Sequence, residues 1–316
     1  MLLIALLCCC LHLLSVLSLL AKFQPTLRSS VLAYGKLSET ADRPTSKLSL
    51  WISQQTVPKA WFSHFYWIGF LFALWCDLEV GLLLWKHEKG PIVSLLAHFD
   101  TPDFANTQPA IICLLSLCLI TLHIGRRLYE VNIVQRPSRQ ARMNITHYFI
   151  GIGFYGSMVF AAWLEGAANL GVWESSSQPI TLLDTHQLLR PHVIFAIILF
   201  AYASWHQYVC HRILANIRMK ARPSTSAASS SIYQIPRGDW FERVVCPHYL
   251  ADILIYVSLC ILNRLQNLTL LAGLLWTIIN LSVTAGETER WYRKSFGSKY
   301  ANTFVRGRWI VLPGIY

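Results

Sequence analysis

Apolar residues fall along this chain in blocks rather than in alternation or in narrow helical stripes. The long blocks cover roughly 2–21, 62–85, 109–124, 147–168, 191–209, 249–263 and 268–285. A bilayer-crossing helix needs about 20 mostly apolar residues, so the pattern predicts an all-α, polytopic membrane protein with about seven transmembrane helices, with six as the fallback. No basic residue precedes the first block, whereas Lys22 and Arg28 follow it; that order favours a retained first helix over a cleaved leader. The longest connections run to roughly 40 residues, and no internal repeat is visible. A single membrane-embedded domain over 1–316 is therefore expected.

Composition agrees, with 54% hydrophobic and only 14% charged residues in 316, and 12 tryptophans. Charge then orients the helices. Of the 27 lysines and arginines, all but Lys86, Lys89, Arg190 and Arg264 fall in one alternating set of segments: 22–61, 125–146, 210–248 and the tail after 285. Basic residues are retained on the cytosolic side, so the amino terminus is expected to be lumenal and the carboxyl terminus cytosolic. This sidedness and attraction to anionic lipid heads account for the net charge of +11, leaving no case for nucleic acid as a partner. The nine cysteines lie in apolar blocks or cytosolic segments without a CxxC pair, which argues against disulfides and against a metal site. Asn267-Leu-Thr269 is a glycosylation sequon in a turn too short to clear the membrane, and 223–231 has the composition of a flexible linker.

Two constellations carry candidate chemistry. His211, Arg218, Tyr233, Arg237, Trp240, His248, Arg290 and Tyr292 would converge if the last three helices pack together. They supply donors for phosphates and faces for a ring, as a nucleotide cofactor needs. Positive-inside markers beside an aromatic interface belt explain the same residues equally well. The second group sets His64 and Tyr66, at the start of the second span, against His123 and Arg127, at the end of the third. His64, Tyr66 and His123 are the candidate proton donors or carbonyl clamps, although interfacial rings of this kind commonly serve as anchors. Arg127 and Glu130 stand at i,i+3, the spacing of a plain helix-surface ion pair. No GxGxxG after a strand, P-loop, GxSxG or HExxH occurs, which excludes soluble-type dinucleotide, NTPase, hydrolase and zincin sites.

The chain resembles the steroid 5α-reductase family, and within it the polyprenol reductase branch. The strings that carry the resemblance are Tyr34-Gly-Lys36, Val57-Pro-Lys-Ala-Trp-Phe-Ser-His-Phe-Tyr66, Leu122-His-Ile-Gly-Arg-Arg-Leu-Tyr-Glu130, His206-Gln-Tyr-Val-Cys-His211, Ile213-Leu-Ala-Asn-Ile-Arg218, Ile235-Pro-Arg-Gly-Asp-Trp-Phe-Glu242 and Trp291-Tyr292. That resemblance implies a seven-helix reductase of the endoplasmic reticulum membrane, with a lipid-substrate half over 1–185 and an NADPH-binding half over 186–316. Gln207, His211, Arg218, Tyr233, His248, Asp252 and Tyr292 would then line the cofactor, with Arg237 beside them. Where steroid-reducing members place a Gln-Glu pair and a Tyr, this chain has His64-Phe65 and Ile124; Glu289 stands where relatives usually have a His. The implied substrate is a long-chain polyprenoid lipid, with membrane lipids around it and no obligate protein partner inferable. An allylic alcohol does not activate its double bond toward hydride, whereas the conjugated aldehyde does, so the expected reaction takes polyprenal to dolichal within dolichol biosynthesis. Direct reduction of polyprenol or of a 3-oxo steroid, an isoprenylcysteine-type membrane methyltransferase, and a non-catalytic lipid transporter are the alternatives.

Overall fold

A computed structural model describes residues 2–24, 28, 47–101, 108–135, 141–173, 184–220, 234–304 and 307–316, except the side chains of 48, 49 and 220. Tyr34, Lys36, the linker 223–231 and Tyr233 lie outside the described residues. The described helices are α1 (Leu2–Phe23), α2 (Lys47–Gln54), α3 (Phe62–Lys86), α4 (Pro91–Phe99), α5 (Ala110–Tyr129), α6 (Ile145–Ala161), α7 (Pro191–Lys220), α8 (Pro247–Leu262) and α9 (Leu268–Thr303). Two three-residue strands, β1 (Thr56–Pro58) and β2 (Arg142–Asn144), pair antiparallel with Val57 opposite Met143 and join the starts of α3 and α6.

Among the described residues, six helical stretches are long and apolar enough to cross a membrane: Leu2–Phe23, Lys59–Lys86, Ala110–Val134, Ile145–Gly166, Pro191–Met219 and Leu268–Thr303. The seventh expected block is α8, a helix of 16 residues. At 1.5 Å per residue it reaches about 24 Å, short of a hydrocarbon core of about 30 Å. Neighbours shelter it instead of lipid. Ala251, Ile253, Ile255, Tyr256, Leu259 and Leu262 are buried, and the Asn263 side chain that follows donates to Ser116 Oγ at 2.9 Å.

Helix α3 packs on α5 and α6, α9 packs on α8, α1 and α6, and α7 lies along α8. Phe65, Tyr66, Ile120, Ile124, Tyr155, Met158, Tyr256 and Leu259 fill the space between them. Close approach requires small residues: a Cβ on Gly69 would stand 3.0 Å from Cβ of Tyr155 on the facing helix. Large apolar side chains also point outward, among them Trp67, Leu71, Leu78, Ile198, Trp205 and Leu275, as helices in lipid require.

At the end of the bundle away from the basic segments, acidic residues close the helix N-termini. Glu79 accepts from the amides of Ile92 (3.1 Å) and Val93 (2.9 Å) at the start of α4. Asp100 accepts from Leu2 (2.8 Å) and Leu3 (3.1 Å) at the start of α1. Glu165 accepts from the amides of Leu268 (3.0 Å) and Thr269 (2.7 Å) and from the Thr269 hydroxyl (2.8 Å) at the start of α9. Free N–H groups and the positive end of the helix dipole suit carboxylates there. Asn267, the sequon asparagine, is 2% exposed, caps Leu270 N at 2.8 Å and donates to Ala161 O at 2.8 Å. Its amide is engaged within the fold and inaccessible to a glycan.

Candidate active site

One connected polar network lies inside the bundle, where α3, α5, α7 and α8 meet. Helix α5 supplies most of it, because His123, Arg127 and Glu130 recur at i, i+4 and i+7 and so share one face. Glu130 begins a π-helical turn over Glu130–Val134 that extends α5 and is fully buried. Arg126, Arg127 and His211 all donate to its carboxylate, His211 through Nδ1 at 2.6 Å. Arg127 Nη2 donates to the Tyr66 hydroxyl at 3.0 Å, and its guanidinium lies 5.1 Å from the centre of the Tyr66 ring. A second branch runs from Arg126 to Gln207, whose Nε2 donates to Asp252 Oδ1 at 2.7 Å and to the His248 carbonyl at 3.2 Å. Arg126 Nη2 also donates to His123 Nδ1 at 3.3 Å. A ring nitrogen that accepts from arginine is bare, so His123 carries its hydrogen on Nε2. Asp252 Oδ1, at 3.7 Å, is too far to accept it, and no other hydrogen-bond partner among the described residues reaches that buried nitrogen.

The structure therefore gathers Tyr66, His123, Gln207, His211 and Asp252 into one site, with the His248 ring 5.5 Å from that of His211. Other expected residues stand apart. His64 pairs its Nδ1 with the Tyr148 hydroxyl at 3.2 Å and packs beside Trp61. Arg218 is exposed near the end of α7. Tyr292 is buried in a separate cluster, stacked on Tyr300 at 5.7 Å and 7°; there Glu289 accepts from the Tyr300 hydroxyl and from Arg293, and Arg308 donates to Tyr300 Oη at 2.8 Å. Arg237 pairs with Glu242 at 3.0 Å on the surface. The guanidinium of Arg237 and the Gly238 amide hold the Glu242 carboxyl below the usual range.

The string Gly238-Asp-Trp-Phe-Glu242 docks this last segment on α7. His206 Nδ1 meets Asp239 at 2.9 Å, and Trp240 stacks on the same imidazole at 4.4 Å and 15°. Asp239 takes a left-handed φ of 47°, a conformation that persists where contacts over-determine it.

Sequence reasoning did not single out Arg126 or Glu130, and it left Arg127 between a place opposite Tyr66 and a plain helix-surface pair with Glu130. Both of its residues are buried, with Glu130 at 0% exposure. The signal was present in the spacing: three ionisable groups on one face of an apolar span cannot face lipid without great cost.

Comparison with known proteins agrees with this architecture. The 3-oxo-5-alpha-steroid 4-dehydrogenase family matches residues 147–316. Polyprenal reductase of Xenopus tropicalis is 30% identical over 273 residues, covering 84% of this chain and 82% of that protein. Polyprenal reductase of Saccharomyces cerevisiae is 31% identical over 254 residues, 80% and 75% of the two chains. The human polyprenal reductase is 30% identical over 258 residues, 79% and 77%. A reductase-family match over more than half the chain, on a multi-pass helical bundle with an ionisable site sealed inside it, settles the kinship: this chain belongs to the 3-oxo-5-alpha-steroid 4-dehydrogenase, or steroid 5α-reductase, family.

Proposed function

We propose that this chain is a polyprenal reductase of the endoplasmic reticulum membrane, saturating the α-isoprene double bond of a long-chain polyprenal to give dolichal for dolichol biosynthesis, with NADPH as reductant. It acts as one membrane-embedded domain, residues 1–185 receiving the lipid and 186–316 the cofactor, with the basic ends of the helices in the cytosol. The relatives' activity and the sealed polar site inside a lipid-facing bundle support this reading.

The observation that carries the mechanism is the Tyr66 hydroxyl, buried to 2% exposure and held by Arg127 at 3.0 Å. Reduction of an enal at its β carbon places negative charge on the aldehyde oxygen, and a preorganised donor there lowers the barrier. Arg127 occupies a lone pair on the phenolic oxygen, so the hydroxyl hydrogen is left to donate. His123 presents its Nε2–H, unpartnered and buried, as a second donor to the same oxygen. His64, engaged with Tyr148, is left an anchoring role at the start of α3. Protonation of the α carbon completes the saturation.

The residues present suit a pyridine dinucleotide. Buried polar atoms without a partner in a native fold call for an explanation, and Arg126 Nε, on the side chain that reaches Gln207, is one such atom that the substrate oxygen leaves unanswered. Gln207, His211, His248 and Asp252 would hold the neutral nicotinamide end by amide and imidazole hydrogen bonds. Arg218, Tyr233, Arg237 and Tyr292 would meet the phosphates and adenosine nearer the basic end. NADPH supplies a hydride when bound; the chain supplies orientation, the oxyanion donors and the exclusion of water.

The test is NADPH oxidation by detergent-purified protein offered polyprenal, polyprenol and a 3-oxo-4-ene steroid separately. Turnover with polyprenal alone is expected. Turnover confined to the steroid, or reduction of polyprenol with no dehydrogenase or oxidised nicotinamide present, overturns the assignment.

A further inference from the structure

Glu130 is the most thoroughly buried carboxylate of the network, at 0% exposure, and it touches neither the substrate oxygen nor the cofactor in the proposed reaction. An ionised carboxylate only accepts and a guanidinium only donates. Between them sits His211 Nδ1, 2.6 Å from Glu130 Oε2 and 2.7 Å from Arg127 Nη1. Were that nitrogen bare, it would accept from Arg127 while turning its lone pair on the carboxylate oxygen. Carrying hydrogen, it donates to Glu130, and Arg127 Nη1 donates to the same carboxylate. The second arrangement satisfies all three groups, and it leaves His211 Nε2 as an acceptor. On the other side, Glu130 fixes Nη1 of a planar guanidinium, which aims Nη2 at the Tyr66 oxygen 3.0 Å away.

We infer that Glu130 is a positioning residue that sets the sense of hydrogen bonding on both sides of the site: through Arg127 it makes Tyr66 a donor, and through Nδ1 it makes His211 an acceptor at Nε2. The Tyr66 side rests on the proposed reductase reaction. The His211 side concerns cofactor affinity and stands independently of the lipid. Glutamine at 130 keeps the shape but gives up one accepting oxygen, so Arg127 and His211 compete for the one that remains.

The experiment uses full-length protein in nanodiscs, reading kcat with polyprenal and, without lipid, NADPH Kd by tryptophan quenching. Glu130→Gln is expected to lower kcat about 100-fold, within the range for a lost oxyanion donor, and to raise Kd about tenfold, or one hydrogen bond. Residues acting as one unit are non-additive, so Tyr66→Phe/Glu130→Gln should be no more than about threefold slower than Tyr66→Phe alone. Full multiplication of the two losses, or wild-type kcat and Kd in Glu130→Gln, overturns the inference. Removing a buried counter-charge can prevent folding; Glu130→Gln/Arg126→Gln keeps the charge balanced and should remain slow. Wild-type kcat and Kd in that pair would reduce Glu130 to charge balance and overturn the inference as well. If Tyr66→Phe itself kept wild-type kcat, the proposed oxyanion donor would fall, and the NADPH Kd of Glu130→Gln would still decide the His211 side.

Discussion

Buried carboxylates occur at both ends of this bundle, yet they are satisfied in opposite ways. Away from the basic segments, Glu79 and Glu165 each accept from two backbone amides at the starts of α4 and α9, with one side-chain donor beside them, Trp75 Nε1 and the Thr269 hydroxyl respectively. Those amides are fixed by the helices and need a partner in any state of the protein, so the arrangement is closed. In the network, Glu130 and Asp252 are met by side chains from other helices: Arg126, Arg127, His211 and Gln207. Side-chain partners can be shared or exchanged, and here they leave His123 Nε2 and Arg126 Nε unpartnered. Burial of charge alone therefore does not mark a functional site in a membrane protein. The kind of donor that answers the charge does.

The sharpest way to break this contrast is to cut one member from each end. Tyr66→Phe removes only a hydroxyl and should lower kcat by about 100-fold or more with thermal stability nearly unchanged; full activity in a steady-state assay would remove the side-chain network from the chemistry. Glu165→Ala should do the reverse. Two amides and a hydroxyl at the head of α9 lose their acceptor, at a cost of about 2–4 kcal/mol, read as a lower unfolding midpoint in detergent. The molecules that remain folded should keep wild-type kcat, and a catalytic defect at full stability would erase the distinction between the ends.

Smaller effects sharpen it further. Asp239→Ala strips the latch from His206 and leaves an alanine in a left-handed conformation, which should cost about 1–2 kcal/mol and raise the KM for NADPH more than it lowers kcat. His64→Phe should change kcat by less than about threefold, since the imidazole touches Tyr148 rather than the network; a large loss would return His64 to the active site. At the weak end, Glu242 has a folded pKa below its unfolded value, so its contribution is present above the unfolded pKa and fades as pH falls through the folded one. Between wild type and Glu242→Gln, the stability difference should narrow on acidification and stay flat above neutrality.

Much of the architecture was legible because lipid leaves few choices. Blocks of about 20 apolar residues cross, and basic residues mark their ends. Six such blocks appear as long helices that start within a few residues of their expected positions, but three of them, Ala110–Val134, Pro191–Met219 and Leu268–Thr303, run on by about ten residues or more into polar sequence that apolarity alone does not mark as helical. The seventh, α8, was legible as a helix of nearly its observed length but not as one sheltered from lipid; it starts at Pro247 and ends where Asn263 bonds Ser116, and that last contact joins residues far apart in sequence. The site was legible in part. Tyr66, His123, Gln207 and His211 were named from motif strings and Asp252 from the family resemblance, while Tyr292 and Arg237 lie in other clusters and His64 faces a different partner.

By itself, then, the sequence determined the all-helical membrane class, the family and the residue types available for chemistry, since apolar block length, charge placement and motif strings are local properties. Only the tertiary structure decided which groups meet. The spacing of Arg127 and Glu130 is the same on a lipid-facing surface as in a sealed interior. Packing of α5 against α3, α7 and α8 is what turned that pair inward, brought Tyr66 and His211 to it, and left Glu79 and Glu165 to close helix ends.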